Sequence, residues 1–172
     1  DHGLGIDKTT AMSIMSVYGA LIYMSSIPGG WIADRITGTR GATLIGAVLI
    51  IIGHICLSLP FAMFGLFASM FFIIVGSGLM KPNISNIVGR LYPQNDVRMD
   101  AGFVIFYMSV NMGALVSPII LQHYIDIRNF HGGFLIAAIG MALGLVWYLL
   151  FNRKTLGSIG MKPTNPLSSS EK

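Results

Sequence analysis

A lysine, a proline and two asparagines close one of the most apolar stretches of this chain. The segment Gly76-Ser77-Gly78-Leu79-Met80-Lys81-Pro82-Asn83-Ile84-Ser85-Asn86 follows a run from Phe61 to Met80 that carries no charge. An ammonium at the centre of a membrane helix costs roughly 2.5 to 3.5 kcal/mol, so intramembrane lysines face a bundle interior or a wet cavity. Ser77, Lys81 and Ser85 are spaced to share one helical stripe, and Pro82 removes a backbone donor beside them. Two readings stand for Lys81. Counted from Phe61, about twenty residues at 1.5 Å each already cross the hydrocarbon, which lets the side chain snorkel into water. Ile84, Ile87 and Val88 keep the sequence helix-compatible as far as Arg90, which instead leaves Lys81 inside and facing a cavity.

Three further places hold polar groups among apolar neighbours. Asn111 lies in Phe106-Tyr107-Met108-Ser109-Val110-Asn111-Met112-Gly113-Ala114, roughly in line with Tyr107 and Pro118, and its amide suits a helix-to-helix hydrogen bond. Tyr23 interrupts a face of small residues, Ser16, Gly19, Ser26 and Gly30, that permits close helix approach; its phenol either fills a neighbouring hole or reaches a cavity. The stretch Gly29-Gly30-Trp31-Ile32-Ala33-Asp34-Arg35-Ile36-Thr37-Gly38-Thr39-Arg40 is expected as a tight charged turn. There Asp34 pairs with Arg35 or Arg40 as an exposed ion pair worth at most about 1 kcal/mol, or acts as a latch present in one conformation only. His54 reads as a core histidine and Cys56 as a packing residue; nothing resembles a metal-ligand cluster.

These residues need apolar elements to hold them. The chain is 53% hydrophobic and 10% charged, with a mean hydropathy of +0.71, which excludes an ordinary soluble domain. Five spans are predicted, about 11–32, 42–59, 61–89, 101–121 and 133–151, within a membrane region 1–152 that is followed by a cytoplasmic linker or tail, 153–172. Continuous apolar runs argue for helices, because a barrel needs alternation in shorter segments. Gly140 and Gly144 in the last span are spaced for close packing. A net charge of +4 invites a nucleic-acid reading, but the basic residues lie between spans rather than in one stripe, so no nucleic-acid partner is expected.

Assigning loops alternately puts Arg35, Arg40, Arg90, Arg98, Arg153, Lys154, Lys162 and Lys172 on one side, against Lys8 and Arg128 on the other. The basic side is the cytoplasmic one, so residue 1 is expected outside and the tail inside the cell membrane. An external start without a signal peptide implies a further helix before Asp1.

The two polar stretches resemble signatures of the proton-dependent oligopeptide transporters of the major facilitator superfamily. Gly78-Leu79-Met80-Lys81-Pro82-Asn83-Ile84-Ser85 is similar to the family's fourth-helix lysine motif, and Phe106 to Ala114 to its fifth-helix signature. The loop with Gly30, Asp34, Arg35, Gly38 and Arg40 resembles the superfamily's loop between helices two and three, with one extra residue before Gly38. The resemblance covers essentially the whole chain. It implies an all-α membrane protein, helices two to six of an amino-terminal six-helix bundle, whose first helix and carboxy-terminal bundle lie outside this sequence. It further implies symport of di- and tripeptides with protons by alternating access, with no cofactor and no metal. Lys81 would meet the peptide carboxylate, Asn111 its amino-terminal or backbone groups, and Tyr23 would line the same pocket. Ser16 stands where mammalian members carry a histidine, which points to a bacterial-type protein. The alternatives are a facilitator for another solute, such as nitrate or drugs, and a non-transporting membrane assembly protein. An enzyme is not expected, since no span pairs acids, His with Glu, or Ser with His.

Overall fold

In the computed structural model, which describes residues 5–124 and 130–167, the regular structure is helical throughout. Asp7 starts α1 (Lys8–Met24) by accepting the amides of Thr9 and Thr10 at 3.0 and 3.1 Å. The helical path continues through α2 (Ser26–Ile32) and a π-helical turn, Ala33–Thr37, before α3 (Gly38–Ser58). The stretch 8–58 is therefore one long apolar helical path, and the reversal lies at Gly38, whose φ of 74° only glycine adopts without strain. The charged turn expected over residues 29–40 is thus wound up to Thr37 and turns at a single residue.

The register of the contacts shows that the path folds back there. Residues 14 to 21 of α1 line a groove with residues 67 to 74 of α4 (Ala62–Arg90), and Gly29 lies against Gly78, so α1, α2 and α4 run in the same direction. Along α3, Gly46 meets Gly76 and Met80 while Gly53 meets Ile73, so α3 runs opposite to α4. The chain accordingly crosses twice between Lys8 and Ser58. Four stretches, 8–58, 63–90, 98–122 and 132–156, are long and apolar enough to cross a membrane; with the first folded back at Gly38, and with α4, α5 (Arg98–Tyr124) and α6 (Phe130–Leu156), the described residues make five helical passes.

Small residues draw α2, α3 and α4 together. A Cβ on Gly46 would stand 2.5 Å from the Gly76 carbonyl oxygen, and one on Gly76 2.7 Å from that of Gly46, so both backbones approach as only glycines allow. Ala33, Ala42 and Leu79 form the buried centre, with Ile32, Leu49 and Val75 around it. Two of the glycine expectations are corrected. Gly140 and Gly144 have open space where a side chain would stand, and α6 instead buries Ala138 and Asn152. On the first crossing the packed positions are Ser25 and Gly29, while Gly19 and Gly30 face open space. The packed stripe is one residue out of step with the expected one because α1 and α2 turn a different face to α4.

Candidate functional site

Lys81 stands on α4 with its helix unbroken beyond it. The helix has 29 residues, about 43 Å at 1.5 Å each, and exceeds the roughly 30 Å hydrocarbon core. Lys81 lies about 13 Å along the axis before the Arg90 end of the helix. Pro82 sits inside the helix without ending it. Asn83 bridges the region: its side-chain amide donates to the carbonyl of Leu79 at 2.7 Å and to that of Gly29 at 3.3 Å, tying α4 to α2. Ser25 does the same one turn away, donating to the carbonyls of Ile22 and Ile74 at 2.8 and 2.9 Å. These two cross-links hold the backbone on either side of the lysine, and sequence reasoning gave neither a role. Their signal was polarity on the buried side of a helix whose exposed side drew the attention.

Asn83 and Ser77 are buried, whereas Lys81 projects away from the packed face. Its ammonium lies 5.7 Å from the centroid of the Tyr23 ring, within cation–π range. Tyr23 is 76% exposed, so its phenol fills no hole between these helices. The pair presents a cation and an aromatic hydroxyl on one open face, and Lys81 has no salt-bridge partner among the described residues that a carboxylate would first have to displace.

Asn111 is not joined to that pair. Its amide donates to the carbonyl of Tyr107 in its own helix at 2.9 Å, and among the described residues no hydrogen bond links it to another helix. The ring of Tyr107 stacks on Phe103 with centroids 6.3 Å apart. Helix α5 meets α4 at its beginning, where Phe103 lies over Gly89 and Tyr92 presses on Gly102, and the face with Asn111 is exposed. His54 is half-buried, and its Nδ1 has no partner among the described residues, so the hydrogen-bonded core histidine expected there is not formed at that atom.

The charged segment at the other end of α2 is engaged differently from the expected ion pair. Arg40 is only 7% exposed and donates through Nη1 to the Gly157 carbonyl and through Nη2 to Asn152 Oδ1, each at 2.6 Å. Its backbone amide donates to the Gly160 carbonyl at 3.0 Å. The Asp34 and Arg35 carbonyls accept from the amides of Asn165 and Leu167 at 2.9 and 3.4 Å. Arg90 adds a bond through Nη2 to Thr164 Oγ1 at 3.1 Å. Gly30 lies half-buried just before this region. Residues 157–167 are thereby strapped across the ends of α2, α3 and α4. Arg98, the first residue of α5, donates to the Asp96 carboxylate in the preceding loop and holds it well down, at about 2.

A bundle of apolar helices with a cation–aromatic pair on one open face and a basic, strapped end defines a multi-pass membrane protein. The family model described as the POT family matches residues 41–167, and the chain belongs to that family. It is 47% identical over 167 residues to a di-/tripeptide transporter of Lactococcus lactis subsp. lactis, covering 97% of this chain and 34% of the relative. Among solved structures it superposes with a TM-score of 0.96 on a POT family transporter in complex with 5-aminolevulinic acid, at 90% identity, covering 99% of this chain and 35% of that one. A POT family transporter in complex with a thioalcohol-conjugated peptide gives the same TM-score at 89% identity, again over 99% of this chain and 35% of the other. The chain thus spans about a third of the length of the relatives it matches.

Proposed function

We propose that this chain forms part of a proton-coupled symporter of di- and tripeptides that works by alternating access in a bacterial cell membrane. The observation that carries the reading is the Lys81–Tyr23 pair, a cation held 5.7 Å from an aromatic ring on the open face of a membrane helix. A zwitterionic peptide needs a cation for its carboxylate, and a lysine supplies a compact point charge that counts for more in a low-dielectric cavity than in water. Asn111 offers amide groups for the peptide's amino end or backbone, brought to the pocket together with the rest of the transporter. Both solved neighbours hold ligands of compatible kind: 5-aminolevulinic acid carries an amine and a carboxylate, and the other ligand is a conjugated peptide. Protons are the coupling ion in this reading. In this reading residue 1 lies outside and the segment after Phe151 is cytoplasmic, as the basic residues of that side require. Gly30, Asp34, Arg35 and Arg40 form a gating segment, and the contacts of Asp34, Arg35 and Arg40 with residues 157–167 hold in one state of the cycle.

The test is uptake of a labelled dipeptide into liposomes containing the full-length transporter, with and without an inward proton gradient. Gradient-driven uptake that unlabelled di- and tripeptides suppress, and nitrate does not, supports the reading. Well-folded transporter that takes up no peptide under either condition overturns it.

A further inference from the structure

Where α4 ends, the structure opens a cavity of about 930 Å³ bounded by the α4–α5 loop, the start of α5 and the strap after α6. Its lining includes Arg90, Tyr92, Gln94, Met99, Ile159 and Lys162. Two of these are cations and none of its lining residues is an acid. The nearby Asp96 is already paired with Arg98 at 2.7 Å. Arg90 has a neutral hydroxyl, Thr164 Oγ1, as its hydrogen-bond partner and forms no ion pair among the described residues. Lys162 is exposed and forms no ion pair among the described residues.

Depth and chemistry together specify what such a cavity takes. A helix about 43 Å long is about 13 Å longer than the hydrocarbon core, and with the excess shared between its two ends Arg90 stands about 6 Å outside the core, in the headgroup layer. The lining is of two kinds: Arg90, Lys162, Tyr92 and Gln94 supply positive charge and hydrogen-bonding groups, while Met99, Ile159 and Met161 supply apolar surface. An anionic head with an apolar tail matches both parts. We propose that this cavity binds the phosphate headgroup of an anionic phospholipid from the adjoining leaflet, with the phosphate between Arg90 and Lys162 and the glycerol and upper acyl chain against Met99 and Ile159. Through Arg90 and the bond to Thr164, the lipid also braces the strap against α4.

Native mass spectrometry of the full-length transporter with added phosphatidylglycerol or phosphatidylcholine tests this. Wild type is expected to retain phosphatidylglycerol in preference to phosphatidylcholine. Replacing Arg90→Gln together with Lys162→Gln is expected to weaken phosphatidylglycerol retention roughly tenfold to thirtyfold, as loss of two cations near a charged surface implies, and to leave phosphatidylcholine unaffected. The comparison variant, Arg153→Gln with Lys154→Gln, loses the same charge at the end of α6 outside the cavity and is expected to behave as wild type. If the first pair fails to fold, Lys162→Gln alone reads the same site and is expected to cost several-fold. Retention unchanged by Lys162→Gln or by the pair, or an equal loss in the Arg153 and Lys154 variant, overturns the proposal. Displacement of phosphatidylglycerol by millimolar inorganic phosphate would make the ligand a soluble anion and overturn the lipid assignment.

Discussion

At Lys81 the structure separates two questions that the sequence leaves joined, whether the helix continues past the charge and what the charge faces. Its helix runs on to Arg90, and the side chain leaves the packed face toward Tyr23. For the full-length transporter, Lys81→Ala is expected to lower gradient-driven dipeptide uptake by at least about thirtyfold, the cost of leaving a buried carboxylate without its charged partner. Equal uptake by well-folded Lys81→Ala protein would remove the lysine from the mechanism. Tyr23→Phe keeps the ring and loses the hydroxyl, so uptake that survives Tyr23→Phe and falls in Tyr23→Ala identifies the ring face as the working part. A second residue-scale expectation concerns pH. Hydrogen bonds from Arg98 hold the Asp96 carboxyl at about 2 against an ordinary 3.8. Because the folded value is the lower one, this pair favours the folded state above the ordinary value, and its contribution disappears as pH falls from 3.8 to about 2. Carboxyl-detected NMR of Arg98→Ala is expected to show the Asp96 midpoint moving up toward 3.8; a midpoint that stays near 2 would mean that other groups depress it.

The elements were legible wherever composition alone decides. Uncharged runs specify membrane helices because nothing else satisfies their backbones in lipid, and the spans are read from that rule alone. Which face of each helix packs was not legible. Every face is apolar enough for lipid, so periodicity does not distinguish Ser25 and Gly29 from Gly19 and Gly30, or Gly76 from Gly140. Contact geometry distinguishes them, and that difference is measurable. Gly46→Ala and Gly76→Ala drive a methyl group into a facing backbone and are expected to destabilise the detergent-solubilised protein by about 1 to 3 kcal/mol or more, read as a lowered unfolding temperature. Gly140→Ala and Gly144→Ala meet open space and are expected to stay within about 0.5 kcal/mol of wild type. Equal losses at all four positions would mean that α6 packs its glycine face in the assembled transporter. The same blindness hid Asn83, whose bond to the Gly29 carbonyl depends on a helix many residues earlier in the chain.

At the scale of the whole molecule, the strap of residues 157–167 converts separate helix ends into one unit. Its key is Arg40, a nearly buried guanidinium held by neutral acceptors, Asn152 and the Gly157 carbonyl, from a helix and a turn more than a hundred residues later. The sequence marked Arg40 as charged and placed it near Asp34; no local pattern reveals a partner that distant. Gly160 must approach closely here, since a Cβ on Gly38 would already stand 2.7 Å from its carbonyl oxygen. Arg40→Ala removes both side-chain bonds and leaves the Asn152 amide and the Gly157 carbonyl to find water, at a cost of about 1 to 3 kcal/mol. The backbone bonds from Asn165 to Asp34 and from Leu167 to Arg35 remain, so the strap is expected to loosen while the helices stay folded. Hydrogen–deuterium exchange of the full-length transporter reads this directly. Peptides covering 157–167 are expected to exchange faster in Arg40→Ala, with α3 and α4 unchanged, and Arg40→Lys, which reaches one acceptor at most, is expected to fall between. If the strap also works as a gate in the transport cycle, faster exchange there should accompany an altered uptake rate even though Arg40 is remote from Lys81. Faster exchange with an unaltered rate would leave Arg40 as a structural tie and remove it from gating.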